Sequence, residues 1–199
     1  MIKTQLLPLL FLGLAAPAFA QAEPEFSPHS MGLTLGGGSA KYKGSSEDGN
    51  GVGNLYLYYH YSFTSQFGLE VGINGGTEAS DWECKKRDRD NYECRNDRKP
   101  IFGINADELD YTNLVVAATA NYPLSERNSL YGKAGAQFFD YEISQQNAKL
   151  ADDSGVGLYL EGGWQYRWDN GIGMNVGVKY LTMSDLKVTG MDVGISYRF

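Results

Sequence analysis

The C-terminal stretch Asp192-Val-Gly-Ile-Ser-Tyr-Arg-Phe199 decides the class of fold. Apolar residues take every second position, and polar residues or glycine stand between them. The apolar set is Met191, Val193, Ile195, Tyr197 and Phe199, and the other set is Asp192, Gly194, Ser196 and Arg198. A period of two is produced by a β-strand and not by a helix. The chain therefore ends on a strand with one apolar and one polar face, which suits the closing strand of a barrel.

The first 20 residues have the parts of a secretory signal peptide. A short positive region ends at Lys3, an apolar run extends from Leu6 to Ala16, and Ala18-Phe19-Ala20 supplies the small residues of a cleavage site. No later apolar run is long enough for a membrane helix, which leaves a soluble domain or a β-barrel as the exported product. We predict a signal peptide at 1–20, a short periplasmic segment at 21–30 and one barrel domain at 31–199.

Eight alternating runs divide the remaining sequence. They cover residues 31–42, 53–63, 67–77, 109–122, 129–141, 155–168, 171–182 and 189–199. The links after the second, fourth and sixth runs are short, at 64–66, 125–128 and 169–170. The other links are predicted at 43–52, 78–108, 142–154 and 183–188, and the first three are long. An up-and-down sheet places all short links at one end and the longer ones at the other, as in outer-membrane barrels.

Alternation alone does not say which face points outward, since a soluble barrel of the lipocalin type has the same period. On the runs at 155–168 and 171–182, the polar face mixes charge with glycine, as a narrow lumen filled by side chains requires. Aromatic residues gather near the short links: Tyr59, Tyr61, Phe63, Tyr122, Trp164, Tyr166, Trp168, Tyr197 and Phe199. Such a girdle is typical of a membrane interface. We predict that the polar face points inward; a soluble eight-stranded barrel is the alternative.

Two motifs carry a resemblance to a known family. Asp192, Gly194, Tyr197 and Phe199 match the C-terminal assembly signal of bacterial outer-membrane barrels, and Leu130-Tyr-Gly-Lys-Ala-Gly-Ala136 is a glycine-rich strand of the same type. The chain resembles the small outer-membrane barrels of the OmpA transmembrane-domain, OmpX/Ail and opacity-protein type. The resemblance implies an all-β, eight-stranded, antiparallel up-and-down transmembrane barrel. It also implies insertion by the barrel-assembly machinery and lipopolysaccharide as a neighbour in a Gram-negative outer membrane.

The predicted inward face carries charges of both signs. They are Glu70, Lys133, Glu161, Arg167, Lys179, Asp192 and Arg198. Unpaired charges in so narrow a lumen are costly, so we expect them to pair. A salt-bridged plug is the favoured interpretation, because side chains fill the interior of an eight-stranded barrel. A gated, narrow pore for small solutes is the alternative.

The polar link at 78–108 is the candidate binding segment. Trp82 and Tyr92 lie among basic residues, namely Lys85, Lys86, Arg87 and Arg89. Cys84 and Cys94 share this segment, and in an oxidising compartment pairing into a disulfide is the expected state. A stapled loop with exposed aromatics is preorganised for a partner. In the OmpX/Ail-like relatives, outer loops contact host surfaces or complement factors, which implies a host or matrix ligand; a passive, solvated loop is the alternative.

The sequence contains one partial match to a catalytic motif. His60-Tyr61-Ser62 matches the His-x-Ser pair of lipid A deacylases, but Phe63 replaces the asparagine that follows in that family, and no carboxylate stands at a similar spacing. We expect His60 to pack in the lumen. The sequence indicates no catalytic residue, no metal site and no cofactor. The net charge of −7 argues against nucleic acid as a partner.

These observations together predict an integral outer-membrane barrel that is not an enzyme. It would act through its surface loops in adhesion, host contact or envelope interaction, or serve as a structural envelope protein. A narrow small-solute pore and a lipid A-modifying enzyme are the other functions considered.

Overall fold

The computed structural model describes residues 27–45, 49–78, 82–88, 91–96, 102, 106, 108–145 and 148–199. Ten β-strands make up this part of the chain. They are β1 (His29–Tyr42), β2 (Gly49–Ser62), β3 (Phe67–Glu78), β4 (Trp82–Asp88), β5 (Asn91–Asn96), β6 (Glu108–Pro123), β7 (Asn128–Gln145), β8 (Ala148–Arg167), β9 (Ile172–Met183) and β10 (Leu186–Arg198). Within these ranges no helix is long and apolar enough to span a membrane.

Eight of the strands form one closed barrel in the order β1-β10-β9-β8-β7-β6-β3-β2. Every neighbouring pair is antiparallel, and β1 closes against β10 with Leu35 opposite Val193. β4 and β5 form a separate two-stranded sheet within the link between β3 and β6. The predicted all-β, eight-stranded, up-and-down barrel is confirmed.

Several predicted boundaries were wrong. The link expected at 142–154 is largely strand, since β7 runs to Gln145 and β8 starts at Ala148. Within the predicted link, Glu142 and Asp152 are exposed and stand opposite each other in the pairing of β7 with β8. The link at 183–188 shrinks to two residues, with Ser184 in the left-handed region at φ 53°. The hairpin of β4 and β5 was not predicted at all.

The outer surface of the barrel carries an apolar band. Large apolar side chains, each more than a third exposed, cover it from Met191 to Phe199 on and just after β10. On β6, Leu114 and Tyr122 are exposed at the two ends of an outward series whose middle members are Val116, Ala118 and Ala120. A nine-residue span of this kind matches the length of a tilted membrane strand. The apolar face therefore points outward in this band and the polar face inward, as the glycine pattern predicted.

Beyond the band, at the end where residues 79–107 link β3 to β6, the polarity inverts. On β7 the outward series passes from Leu130 and Phe138 to Asp140 and Glu142, while Ile143 is buried inside. On β10 the outward Met191 gives way to Thr189 and Lys187, and Val188 and Leu186 are buried. A strand with polar side chains outside and apolar ones inside is typical of a sheet whose outer face is in water. We call this water-facing part of the barrel the collar.

The interior of the collar is a core of buried and mainly apolar side chains. Its buried members include Ala40, Val52, Leu109, Tyr111, Phe139, Tyr141, Ile143, Leu181, Met183, Leu186 and Val188. Phe102, from the link between β5 and β6, is 1% exposed, and its ring centre lies 5.9 Å from that of Tyr42 with the two rings tilted. A side chain from the link thus fills the barrel mouth at this end.

Glycines make room for the tyrosines that fill the lumen nearer the membrane. Gly32 stands opposite Tyr58 across the β1–β2 pair, and a Cβ on Gly32 would collide with that ring. A Cβ on Gly72 would lie 2.5 Å from the ring of Tyr56. Small residues beside large ones are the means by which an eight-stranded barrel packs its interior.

Candidate functional site

The middle of the lumen is closed by a buried ion network centred on Lys133. Its ammonium lies 2.9 Å from the Glu70 carboxylate and 3.3 Å from that of Glu161, and all three side chains are less than 10% exposed. Tyr56 donates a hydrogen bond of 2.9 Å to Glu70, and Tyr131 donates one of 2.8 Å to Glu161. Because each charge has a partner and further hydrogen bonds, this layer is satisfied and resists the entry of ions.

A second buried pair adjoins the first. The Lys179 ammonium is 3.1 Å from the Asp192 carboxylate and donates a hydrogen bond of 3.1 Å to the side-chain oxygen of Asn54. The ring of Tyr56 lies 5.1 Å from the same ammonium and within reach of Lys133, so one aromatic ring bridges the two ion pairs. Five of the seven charges predicted to face inward therefore meet in the lumen as paired ions.

Arg167 and Arg198 lie apart from those pairs. Both are half-buried near the end with the short links, where they line a small polar cavity of about 40 Å³. Arg167 donates a hydrogen bond of 3.2 Å to the carbonyl of Gly171. At this mouth, hydrogen bonds that Arg127 donates to Tyr166 and Asp169 raise the pKa of Arg127. The predicted network thus divides into a closed centre and a cationic mouth.

His60 lies between a hydroxyl and a carboxylate. Its Nε2 is 3.1 Å from Ser62 Oγ, and its Nδ1 is 3.8 Å from the Glu70 carboxylate. Sequence spacing missed Glu70 because it is brought in by strand pairing, directly opposite His60 on β3. The order of groups is that of a hydrolytic triad, yet Ser62 is 7% exposed and does not line the cavity that His60 borders. A substrate would have to reach a hydroxyl packed into the barrel wall.

The residues of the C-terminal motif divide between the two faces of β10. Asp192 and Gly194 are buried in the lumen, and Tyr197 and Phe199 lie on the outer surface, each about half exposed. Phe199 also donates its backbone N–H to His29 and so ties β10 to β1 at the barrel seam. Whether these four residues serve as an assembly signal stays a prediction.

The binding segment is described in part. Trp82, Lys85, Lys86 and Arg87 fall on β4 and Tyr92 on β5, whereas Arg89 lies outside the described residues. Cys84 stands directly opposite Cys94 in the register of this hairpin. A disulfide between them stays a prediction, and so does a binding role for the segment.

The collar provides an exposed strand edge that the sequence analysis did not predict. β8 pairs with β7 from Ala148 onward but with β9 only from Tyr159 onward. Among the described residues, the stretch 148–158 therefore pairs with β7 alone, and most of its residues are exposed. The step from Phe138 to Asp140 on β7 is the sequence signal that could have revealed strands continuing into water.

The backbone groups along this edge can be assigned. The N–H of Ser154 bonds to the Asp153 side chain at 2.8 Å, and the N–H of Leu158 bonds to the Thr182 hydroxyl at 2.9 Å. Neither N–H group points toward β7. Because the backbone groups of successive residues in a strand point to opposite sides, every second residue here points away from β7. Asp152, Ser154 and Val156 thus present their backbone groups to the open edge.

Comparison with solved structures finds other small barrels. Ail, the attachment invasion locus protein of Yersinia pestis, is 19% identical at a TM-score of 0.58 over 87% of this chain and 100% of its own. A second Ail structure, a complex with the heparin analogue sucrose octasulfate, is 18% identical at a TM-score of 0.53 over 86% and 97%. Neisserial surface protein A is 11% identical at a TM-score of 0.61 over 87% and 98%. At these identities the likeness concerns the fold.

The family is identified by sequence. No curated protein matches the chain. A family model described as the outer membrane protein beta-barrel domain matches residues 6–199, nearly the whole sequence. Together with the closed barrel and its apolar outer band, this match shows that the chain belongs to the outer membrane protein beta-barrel domain family and is an integral outer-membrane protein.

Proposed function

We propose that the protein is a surface-interaction barrel that binds a partner at its collar. The observation that carries the proposal is the open edge of β8 at 148–158. An exposed edge can receive an extended strand from another protein, because the main-chain hydrogen bonds that join the two strands depend little on the sequence of the partner. The rigid barrel beneath holds this edge above the membrane.

The charge on this side of the collar indicates the chemistry of the partner. Exposed carboxylates are carried by neighbouring strands: Glu108, Asp110, Asp140, Glu142, Asp152 and Asp153. Lys149 offsets part of this charge, at 3.0 Å from Glu142 and 3.3 Å from Asp152. An extended segment rich in lysine or arginine is thus the favoured ligand, and its binding should weaken with salt.

The hairpin of β4 and β5 is a second contact surface in the same proposal. It is attached to the collar end, and its sequence combines Trp82 and Tyr92 with basic residues. Ail, a barrel of the same fold, is named the attachment invasion locus protein, and one of its crystal structures is a complex with the heparin analogue sucrose octasulfate. A host-surface or matrix ligand for the present hairpin follows that precedent.

Export and membrane context complete the proposal. Residues 1–20 would direct secretion and be removed, and the barrel-assembly machinery would recognise the C-terminal strand. The end with short turns then faces the periplasm, and the collar faces outward among lipopolysaccharide. No catalytic role is included in this proposal.

The test compares attachment by cells that display the intact barrel, a Ser154→Pro variant or a barrel whose residues 79–107 are replaced by a short turn. Host cells, matrix proteins and complement factors form the panel, and surface levels are matched first. Proline removes the N–H of Ser154 from the open edge and leaves the pairing with β7 in place, so attachment should fall roughly tenfold, equivalent to one or two hydrogen bonds. Ser154→Ala keeps the N–H and is the matched control.

The outcomes separate the two surfaces. Loss with Ser154→Pro alone assigns binding to the β8 edge, and loss with the shortened link alone assigns it to the hairpin. Full attachment by both variants across the panel would refute the proposal and leave a structural envelope barrel.

A further inference from the structure

A cation-lined cavity opens at the opposite end of the barrel from the collar. The inner cavity of about 40 Å³ adjoins an outer one of about 200 Å³ at the short turns. Four residues line both: Asn121, Gln165, Arg167 and Arg198. We call this shared region the vestibule. Ser30 and Ser196 add hydroxyls to its inner part.

Two guanidinium groups line the vestibule, those of Arg167 and Arg198. The guanidinium carbon of Arg167 lies 3.5 Å from the point where a Cβ on Gly173 would stand, so the glycine leaves space for it. The carbonyl of Gly171 accepts a hydrogen bond from the same group. Arg167 and Arg198 line the same inner cavity and both are half-buried, where water screens the repulsion between like charges less than at the surface.

The floor of the cavity is closed and already neutralised. Lys133 and Tyr58 bound it, and the ammonium of Lys133 lies 4.6 Å from the centre of the Tyr58 ring. The Glu70 carboxylate at this depth is bound to Lys133. Of the carboxylates nearer the opening, Asp169 is paired with Arg127 at 2.5 Å, and Glu126 is exposed on the rim. The vestibule is therefore a blind pocket whose walls include two guanidinium groups.

We propose that the vestibule binds a small oxyanion of the phosphate, sulfate or carboxylate class from the periplasm. Guanidinium groups form charge-assisted and often bidentate hydrogen bonds with such anions, and the amides of Asn121 and Gln165 can donate as well. A bound anion offsets the repulsion between the two arginines. Because the Lys133 layer closes the lumen above it, the site binds the anion without passing it across the membrane. This inference does not depend on a partner at the collar.

The test uses the folded, full-length barrel in detergent micelles. Inorganic phosphate is titrated against sodium chloride at constant ionic strength, and the unfolding temperature and the arginine side-chain ¹⁵N resonances are followed. Phosphate should raise the unfolding temperature in a saturable way and shift the resonances of Arg167 and Arg198. Acetate in place of phosphate distinguishes a carboxylate site from a phosphate site.

Two variants and a control decide the result. Arg167→Gln should weaken the apparent phosphate affinity at least fivefold, and Arg167→Lys, which retains the charge and guards against misfolding, should weaken it by a smaller factor. Lys43→Gln, at the collar end of the barrel, should leave the affinity unchanged. Equal responses to phosphate and chloride, or an unchanged affinity in both Arg167 variants, would overturn the proposal.

Discussion

At the scale of single residues, the lumen shows how a protein tolerates buried charge. Lys133 is almost inaccessible to water, yet two carboxylates contact its ammonium and three tyrosine rings lie within 6 Å of it. Desolvation of each ion would cost several kcal/mol if it were alone. The neighbouring tyrosines supply the remaining hydrogen bonds, so the network holds the strands in one arrangement rather than merely filling space.

Removing the central cation is therefore expected to be costly. Lys133→Met would leave Glu70 and Glu161 buried without their shared counter-ion, and stability should fall by about 3–5 kcal/mol. Urea unfolding of the barrel in lipid vesicles, followed by tryptophan fluorescence, measures the loss. Lys43→Gln breaks the exposed pair with Asp185, 3.0 Å apart, and should change little. Equal effects of the two substitutions would contradict a structural role for the lumen network.

At the scale of elements, strands β7 and β10 each have two halves of opposite polarity. β10 is apolar outside from Phe199 to Met191 and polar outside at Thr189 and Lys187. The same backbone continues through both halves without a break. The medium alone changes: lipid favours apolar side chains on the outer face, and water above it favours polar ones. The collar is thus a soluble-type barrel joined to a membrane-type barrel.

A matched pair of substitutions on β10 tests where the membrane ends. Ile195→Arg places a charge in the middle of the apolar band and should destabilise the inserted barrel by about 2–4 kcal/mol. Thr189→Arg places the same charge on the same outer face in the collar and should cost less than about 0.5 kcal/mol. Reversible unfolding in phospholipid vesicles measures both. A comparable loss at Thr189 would move the boundary of the band toward the collar.

At the scale of the whole molecule, the lumen is closed at two levels, and a different type of interaction closes it at each level. The Lys133 layer closes it with paired ions, and the collar closes it with a buried apolar core that includes Phe102 from the link after β5. The vestibule lies on one side of these barriers and the open edge of β8 on the other. A barrel with a filled lumen therefore separates the vestibule at one end of the molecule from the open edge of β8 at the other.

The double closure predicts a barrel that does not conduct ions. The wild type in a planar bilayer should show no discrete channels. Glu161→Ala removes one buried carboxylate, so the free energy of unfolding should fall by about 1–3 kcal/mol and the unfolding temperature should fall with it. The variant should still show no channels, because the collar core remains. Discrete channels in the wild type would contradict this account and favour the narrow-pore alternative.

The sequence by itself determined the class of fold. The alternation on β10, the glycine and charge on the inward face and the aromatics beside the short links were enough to predict eight strands, their order and the face toward lipid. These features are local, with a period of two, and the two sides of a membrane strand face chemically different surroundings. The inward location of Lys133 and Asp192 followed from the same period.

The tertiary structure determined the features that an alternating pattern does not specify, namely the contacts between strands and the point where each pairing ends. Glu70 meets His60 and Lys133 because β3 pairs with β2 and shares a lumen with β7, and sequence distance does not encode such contacts. The length of the β8 edge depends on where β9 stops pairing, which the sequence of β8 does not state. Acidic residues at 140–153 fit a loop and a water-facing strand equally well, because both expose carboxylates to solvent. Pairing between strands, rather than the polarity of any one strand, determined the collar, the open edge and the vestibule.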